Sequence, residues 1–247
     1  MKTSIFCFIF SLCLTCGFSQ WGDNHITLSD NITTETKNIT GFDKLEVSED
    51  FKVYIRFSDA AEKVEIRANE NLHDMIEVEK SGETLKISTK SYSTGGWGKK
   101  RRGAEERLVA YITANNLSVI KATEDVKIVL KDNFYADNLT IDLDEDSTLE
   151  GYIEAKKLVV KLNEDSFLDI EGAVKTMKVD ANEDSGIKGY DFVVGDLEID
   201  INEDSEVKLT VNGEIDLRAK EDSYFSYKGK GVFTRKKLTG DSEVKHL

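Results

Sequence analysis

Five tetrapeptides place an acidic pair before a serine: Asp144-Glu145-Asp146-Ser147, Asn163-Glu164-Asp165-Ser166, Asn182-Glu183-Asp184-Ser185, Asn202-Glu203-Asp204-Ser205 and Lys220-Glu221-Asp222-Ser223. The pairs Glu145/Asp146, Glu164/Asp165, Glu183/Asp184, Glu203/Asp204 and Glu221/Asp222 could act as oxygen donors to a row of weak Ca²⁺ sites. Alternatively, backbone N–H groups and nearby lysines could satisfy them, as turn Asp and Ser residues commonly are. The glycine-aspartate nonapeptide of calcium-binding β-rolls and the EF-hand loop are both missing, so no cofactor is assigned beyond that weak Ca²⁺. Paired carboxylates also serve glycoside hydrolysis. A catalytic centre would break the repeat at one place, however, and these pairs recur almost unchanged. No catalytic residue is assigned.

A second constellation is Ser93-Thr94-Gly95-Gly96-Trp97-Gly98-Lys99-Lys100-Arg101-Arg102-Gly103. Here Trp97 could stack on a sugar face while Lys99, Lys100, Arg101 and Arg102 grip an anionic polysaccharide, headgroup or protein. The alternative is a hairpin tip whose charges pair with the acidic repeats. His25, His73 and His246 are scattered over tail, turn and C-terminus, which gives a histidine metal site or triad little support.

The elements that must position these residues come from the repeat. Thr123-Glu124-Asp125-Val126 is a degenerate earlier copy and Thr239-Gly240-Asp241-Ser242 a degenerate later one; from Glu124 onward the steps are 21, 19, 19, 20, 18 and 19 residues. Each copy is preceded by an alternating run such as Leu158/Val160/Leu162 or Leu197/Ile199/Ile201, the period of a strand with one buried face. Another apolar residue (Leu149, Leu168, Ile187, Val207, Phe225) follows two positions after each repeated serine. About nineteen residues is too short for a helical repeat. The expectation is an all-β chain forming a right-handed parallel β-helix, since parallel crossovers are overwhelmingly right-handed. An antiparallel meander would need regular Asn-Gly or Asp-Gly hairpin turns, which Glu-Asp-Ser does not provide.

Three segments divide the chain. Residues 1–19 read as a signal peptide, with Met1-Lys2, an apolar run from Ile5 to Leu14 and small residues before Gln20. Cys7, Cys13 and Cys16 all lie within it, so cleavage would leave no cysteine; acylation at Cys16 or Cys13 is the competing lipoprotein reading. Residues 20–40 are expected to be a flexible lead-in. Residues 41–247 are expected to form a single solenoid domain: a strand-rich cap with hairpin-like strands over 41–112, then regular Glu-Asp-Ser coils over 113–247. Strand candidates in the cap are Val64–Arg67, Ile76–Glu79, Thr84–Ser88 and Leu108–Ile112, with a short helical turn in Asn69–Met75.

The chain resembles the bacterial family of auto-transporter adhesins with a head domain of the GIN type. The carrying residues are Gly41-Phe42-Asp43-Lys44-Leu45-Glu46-Val47, Val53-Tyr54-Ile55, Val64-Glu65-Ile66, Asn71-Leu72 to Ile76, Leu85-Lys86-Ile87 and Asn116-Leu117-Ser118-Val119-Ile120. The resemblance implies a right-handed β-helical domain and export to the envelope, and it transfers no functional residue. Glycine and small residues are common at that family's corners, where this chain has Glu-Asp-Ser.

The formal net charge of −14 disfavours nucleic acid as a partner. No segment approaches about twenty apolar residues, so no membrane span is expected. The sequence therefore points to an exported, non-catalytic envelope protein, located in the periplasm, on the outer surface or secreted. Adhesion or ligand binding would use the solenoid faces and the Trp97 loop, with a surface polysaccharide or protein as partner. A structural, self-associating protein and a carbohydrate-active β-helix enzyme are the alternatives.

Overall fold

A computed structural model describes residues 26–59, 61–93 and 105–247. Strands follow one another almost without interruption. The first seven are β1 (Ile32–Lys37), β2 (Lys44–Ser48), β3 (Lys52–Phe57), β4 (Lys63–Asn69), β5 (Ile76–Ser81), β6 (Thr84–Thr89) and β7 (Leu108–Ala114). The solenoid continues through β8 (Val119–Thr123), β9 (Lys127–Leu130), β10 (Phe134–Leu143), β11 (Thr148–Leu162), β12 (Phe167–Ala181) and β13 (Gly186–Ile201). It ends with β14 (Glu206–Val211), β15 (Glu214–Ala219), β16 (Tyr224–Lys228), β17 (Val232–Leu238) and β18 (Glu243–His246).

The chain is a parallel β-solenoid of about 7 turns with coils of roughly 19 residues. On the face that precedes each corner, β2, β8, β10, β11, β12, β13, β15 and β17 pair in parallel. The face that follows holds β3, β9, β11, β12, β13, β14, β16 and β18, again in parallel. Alternation sends one residue in two inward. Ile141, Val160, Val179, Ile199 and Leu217 stack as one column, and Leu149, Leu168, Ile187, Val207 and Phe225 as another, each at most 1% exposed. Removing each such side chain from water stabilises the fold by about 1.5–3 kcal/mol before entropy is counted.

Between the first coil (β2–β3) and the second (β8–β9) the chain makes an excursion that builds the cap. The hairpin β5–β6 extends one face through parallel pairing of β6 with β2. On the other face β7 pairs parallel with β3, and β4 lies antiparallel between β7 and β1. All four strand candidates over 41–112 are strands, and the short turn is a 3-10 helix at Glu70–Leu72. The flexible lead-in expected over 20–40 is corrected where the structure describes it: β1 is hydrogen-bonded along β4 from Ile32 to Lys37. The buried Asn69 amide ties this segment down by donating to the Ser29 and Glu105 carbonyls, while its oxygen accepts from the Arg107 N–H. Burying that amide is tolerable because each of its groups is paired.

Candidate functional site

Each corner has the same backbone. Glu and Asp both take positive φ in seven consecutive corners, from Glu49/Asp50 to Glu221/Asp222, for example +54° and +57° at Glu183 and Asp184. Two-residue hairpins use this geometry and usually reserve it for Asn-Gly. Here the chain turns a corner and continues along the next face. The left-handed region costs an L-residue about 1–2 kcal/mol, so something must hold it. The Asp N–H of one coil donates to the Glu carbonyl of the next: Asp125 to Glu145, Asp146 to Glu164, Asp165 to Glu183, Asp184 to Glu203 and Asp204 to Glu221, at 2.8–3.1 Å. The serine that follows is fully buried in the five regular copies. The Ser185 hydroxyl donates back to the Asn182 carbonyl at 2.6 Å.

With corner N–H groups committed to carbonyls, the carboxylates of Glu145, Asp146, Glu164, Asp165, Glu183, Asp184, Glu203, Asp204, Glu221 and Asp222 extend into solvent in two rows. Of the alternatives for these carboxylates, the N–H groups of Asp125, Asp146, Asp165, Asp184 and Asp204 are taken by carbonyls. Six to eight oxygens surround a bound Ca²⁺. Among the described residues no three carboxylate, imidazole or thiol groups converge on one point.

The first corner departs from the others. Its open cleft of about 310 Å³ is lined by Glu49, Asp50, Thr89, Tyr92, Glu106 and Glu124 among others. Glu49 accepts the Thr89 N–H at 3.0 Å, and the Tyr92 hydroxyl donates to Glu106. Burial raises the Glu49 and Asp50 pKa values, and the next corner's Glu124 and Asp125 add to the effect. Burial and the Glu106 carboxylate also push the Tyr92 phenol up. Trp97, Lys99, Lys100, Arg101 and Arg102 lie outside the described residues, on the segment that leaves at Ser93 and rejoins at Glu105.

A second concavity runs across coils where strands β10, β11 and β12 bend. At Asp137, Lys156 and Lys175 the ladder registers skip a residue in consecutive coils. The result is a shallow trough of about 600 Å³ over Ala136, Ala155, Ala173 and Val174. Tyr135 and Glu154 flank it on one side and Asp137, Lys156 and Lys175 on the other, with Asn116 at one end. The Tyr135 ring is 61% exposed, and Lys156 pairs with Asp137 at 2.7 Å. Sequence reasoning missed this trough. Its one signal is the alanine repeated nineteen positions apart at Ala136 and Ala155, which stand in register, with Val174 next in the same column.

A repeated solenoid with one strand-built cap and open exterior faces matches a known family. The chain belongs to the family described as "putative auto-transporter adhesin, head GIN domain", whose model matches residues 41–231. No curated protein matches the sequence. Among solved structures, a putative adhesin from Bacteroides fragilis is similar at a TM-score of 0.75 and 19% identity, over 90% of this chain and 100% of that one. A putative adhesin from Parabacteroides merdae gives 0.68 at 14% identity, over 91% and 99%. A putative lipid binding protein from Parabacteroides distasonis gives 0.67 at 18% identity, over 91% and 100%. At these identities the likeness is one of fold.

Proposed function

We propose that this chain is an exported, non-catalytic adhesion module of the cell envelope, and that it holds a surface polysaccharide along the trough over Ala136, Ala155 and Val174. The observation that carries this reading is Tyr135, an aromatic ring 61% exposed beside a strip of small residues and between charges of both signs. Such a ring presents an apolar platform to the flat face of a sugar, while flanking Glu154, Lys156 and Lys175 can bond its hydroxyls. The strip lets a chain lie close to the backbone across several coils. The family's description and the similar adhesins support the adhesive role, and the N-terminal sequence supports export. An acyl chain would prefer an enclosed apolar cavity, whereas this trough is open and its flanks are charged.

The reading is tested by affinity electrophoresis against a panel of neutral and anionic bacterial surface polysaccharides. Tyr135→Ala is expected to weaken retention by about tenfold, the loss of one stacked ring, with an unchanged thermal melt because the ring is exposed. Equal retention of wild type and variant, or no retention on any polymer, would overturn it.

A further inference from the structure

The two ends of the solenoid differ in charge and in the strands they leave open. At one end β17 pairs with β15, and β18 with β16, on one side each; among the described residues neither has a strand on its outer edge. Val232 and Leu247 there are 67% and 53% exposed. This last coil is basic: residues 228–247 contain Lys228, Lys230, Arg235, Lys236, Lys237 and Lys245 against Asp241 and Glu243, a net of +4 in a chain of net −14. Among the described residues no carboxylate lies within ion-pair distance of Lys230, Lys236, Lys237 or Lys245.

At the other end, among the described residues, the open edges are β5, on the face that carries β17, and β1, on the face that carries β18. On β5, Glu77 (3.8 Å from Lys90) and Glu79 outweigh Lys80, while on β1 Glu35 and Lys37 pair with each other at 2.7 Å, so the acidic character of this end lies on β5. Open strand edges present unpaired N–H and C=O groups that favour another strand, and proteins often guard them with lysine. Lysine on β17 repels a second β17, so it disfavours edge-to-edge pairing of like ends. It does not guard against an acidic edge.

We propose that the basic edge β17/β18 of one copy stacks on the β5/β1 end of a second copy, coil on coil, with β17 meeting the acidic strand β5. In a coaxial copy β5 runs against the coil direction and β1 along it, so β17 would meet β5 antiparallel and β18 would meet β1 parallel. Arg235 and Lys237 on the outer face of β17 then lie on the same side as Glu77 and Glu79 of β5, while Lys236 takes the inward position in register with Leu217. Such a contact joins two different surfaces and does not close on itself, so it builds linear stacks. The partner follows from edge and charge alone and does not depend on the trough's ligand.

Two charge-reversed variants test this in sedimentation velocity over a concentration series at low and high salt. One carries Lys236→Glu and Lys237→Glu, the other Glu77→Lys and Glu79→Lys. Wild type is expected to form salt-sensitive dimers and longer species. Each variant alone is expected to stay monomeric with an unchanged circular dichroism spectrum, while an equimolar mixture regains salt-sensitive dimers and longer alternating species, because the unaltered ends pair and the two reversed ends are again opposite in charge. A wild type that stays monomeric at every concentration overturns the proposal. So does self-association of the Glu77→Lys/Glu79→Lys variant alone, which would mean like ends pair. Monomeric wild type that floats with vesicles of anionic phospholipid, and loses this with Lys236→Glu and Lys237→Glu, would reassign the basic coil to a lipid surface.

Discussion

At a regular corner, Glu183 and Asp184 occupy a backbone region that L-residues avoid, and the ladder from the Asp184 N–H to the Glu203 carbonyl holds them there. Replacing Glu183 by glycine removes the steric cost at the price of chain entropy, and a net gain of about 0.5–1 kcal/mol is expected in urea denaturation. Glu183→Val, β-branched and unable to adopt the left-handed region cheaply, should lose about 1–2 kcal/mol. The first corner has a pH signature. Burial raises the folded pKa values of Glu49 and Asp50 above their ordinary 4.5 and 3.8, so the folded state holds those protons more tightly than the unfolded chain. Their contribution is fully favourable below the ordinary values and is lost as pH rises through the raised ones. Glu49→Gln should therefore raise the melting midpoint at neutral pH by about 1 °C, a small effect because the carboxylates keep contact with solvent, and make no difference at pH 3.

At the scale of elements, the bend in the long strands depends on particular backbone positions. Gly172 in β12 has φ +116°, and a Cβ there would lie 2.2 Å from the Ile153 carbonyl oxygen of the coil below. Gly172→Ala should therefore cost about 2–3 kcal/mol in chemical denaturation, more than the ordinary cost of a surface change. Strands with one buried face were plain from their alternation: Leu158/Val160/Leu162 and Leu197/Ile199/Ile201 are all at most 2% exposed. β1 was not. Its residues Ile-Thr-Thr-Glu-Thr-Lys form an outer edge strand with no fully buried position, so no period of two marks it. The trough was equally hidden, because a skipped register at Asp137, Lys156 and Lys175 arises from stacking between coils and leaves no local pattern. The corner conformation was masked too, since Glu-Asp carries none of the glycine that usually announces positive φ.

At the scale of the molecule, the acidic rows keep solvent as their chief partner, so a melt in millimolar Ca²⁺ against EDTA, with Mg²⁺ as control, is expected to show no Ca²⁺-selective rise. A selective rise of several degrees would mean that the corners bind the ion in the folded state. The ladders joining the coils also have a mechanical consequence. Their hydrogen bonds, including those at the corners, run roughly along the stacking axis, while covalent continuity runs around it. A tensile load applied across the two ends therefore opens one rung after another, like a zipper. A load applied across the faces, as by a polymer lying in the trough, pulls on many rungs at once. The same molecule should be compliant when stretched end to end and stiff when tugged sideways. A protein that grips its ligand on a flank would resist flow best in that second geometry.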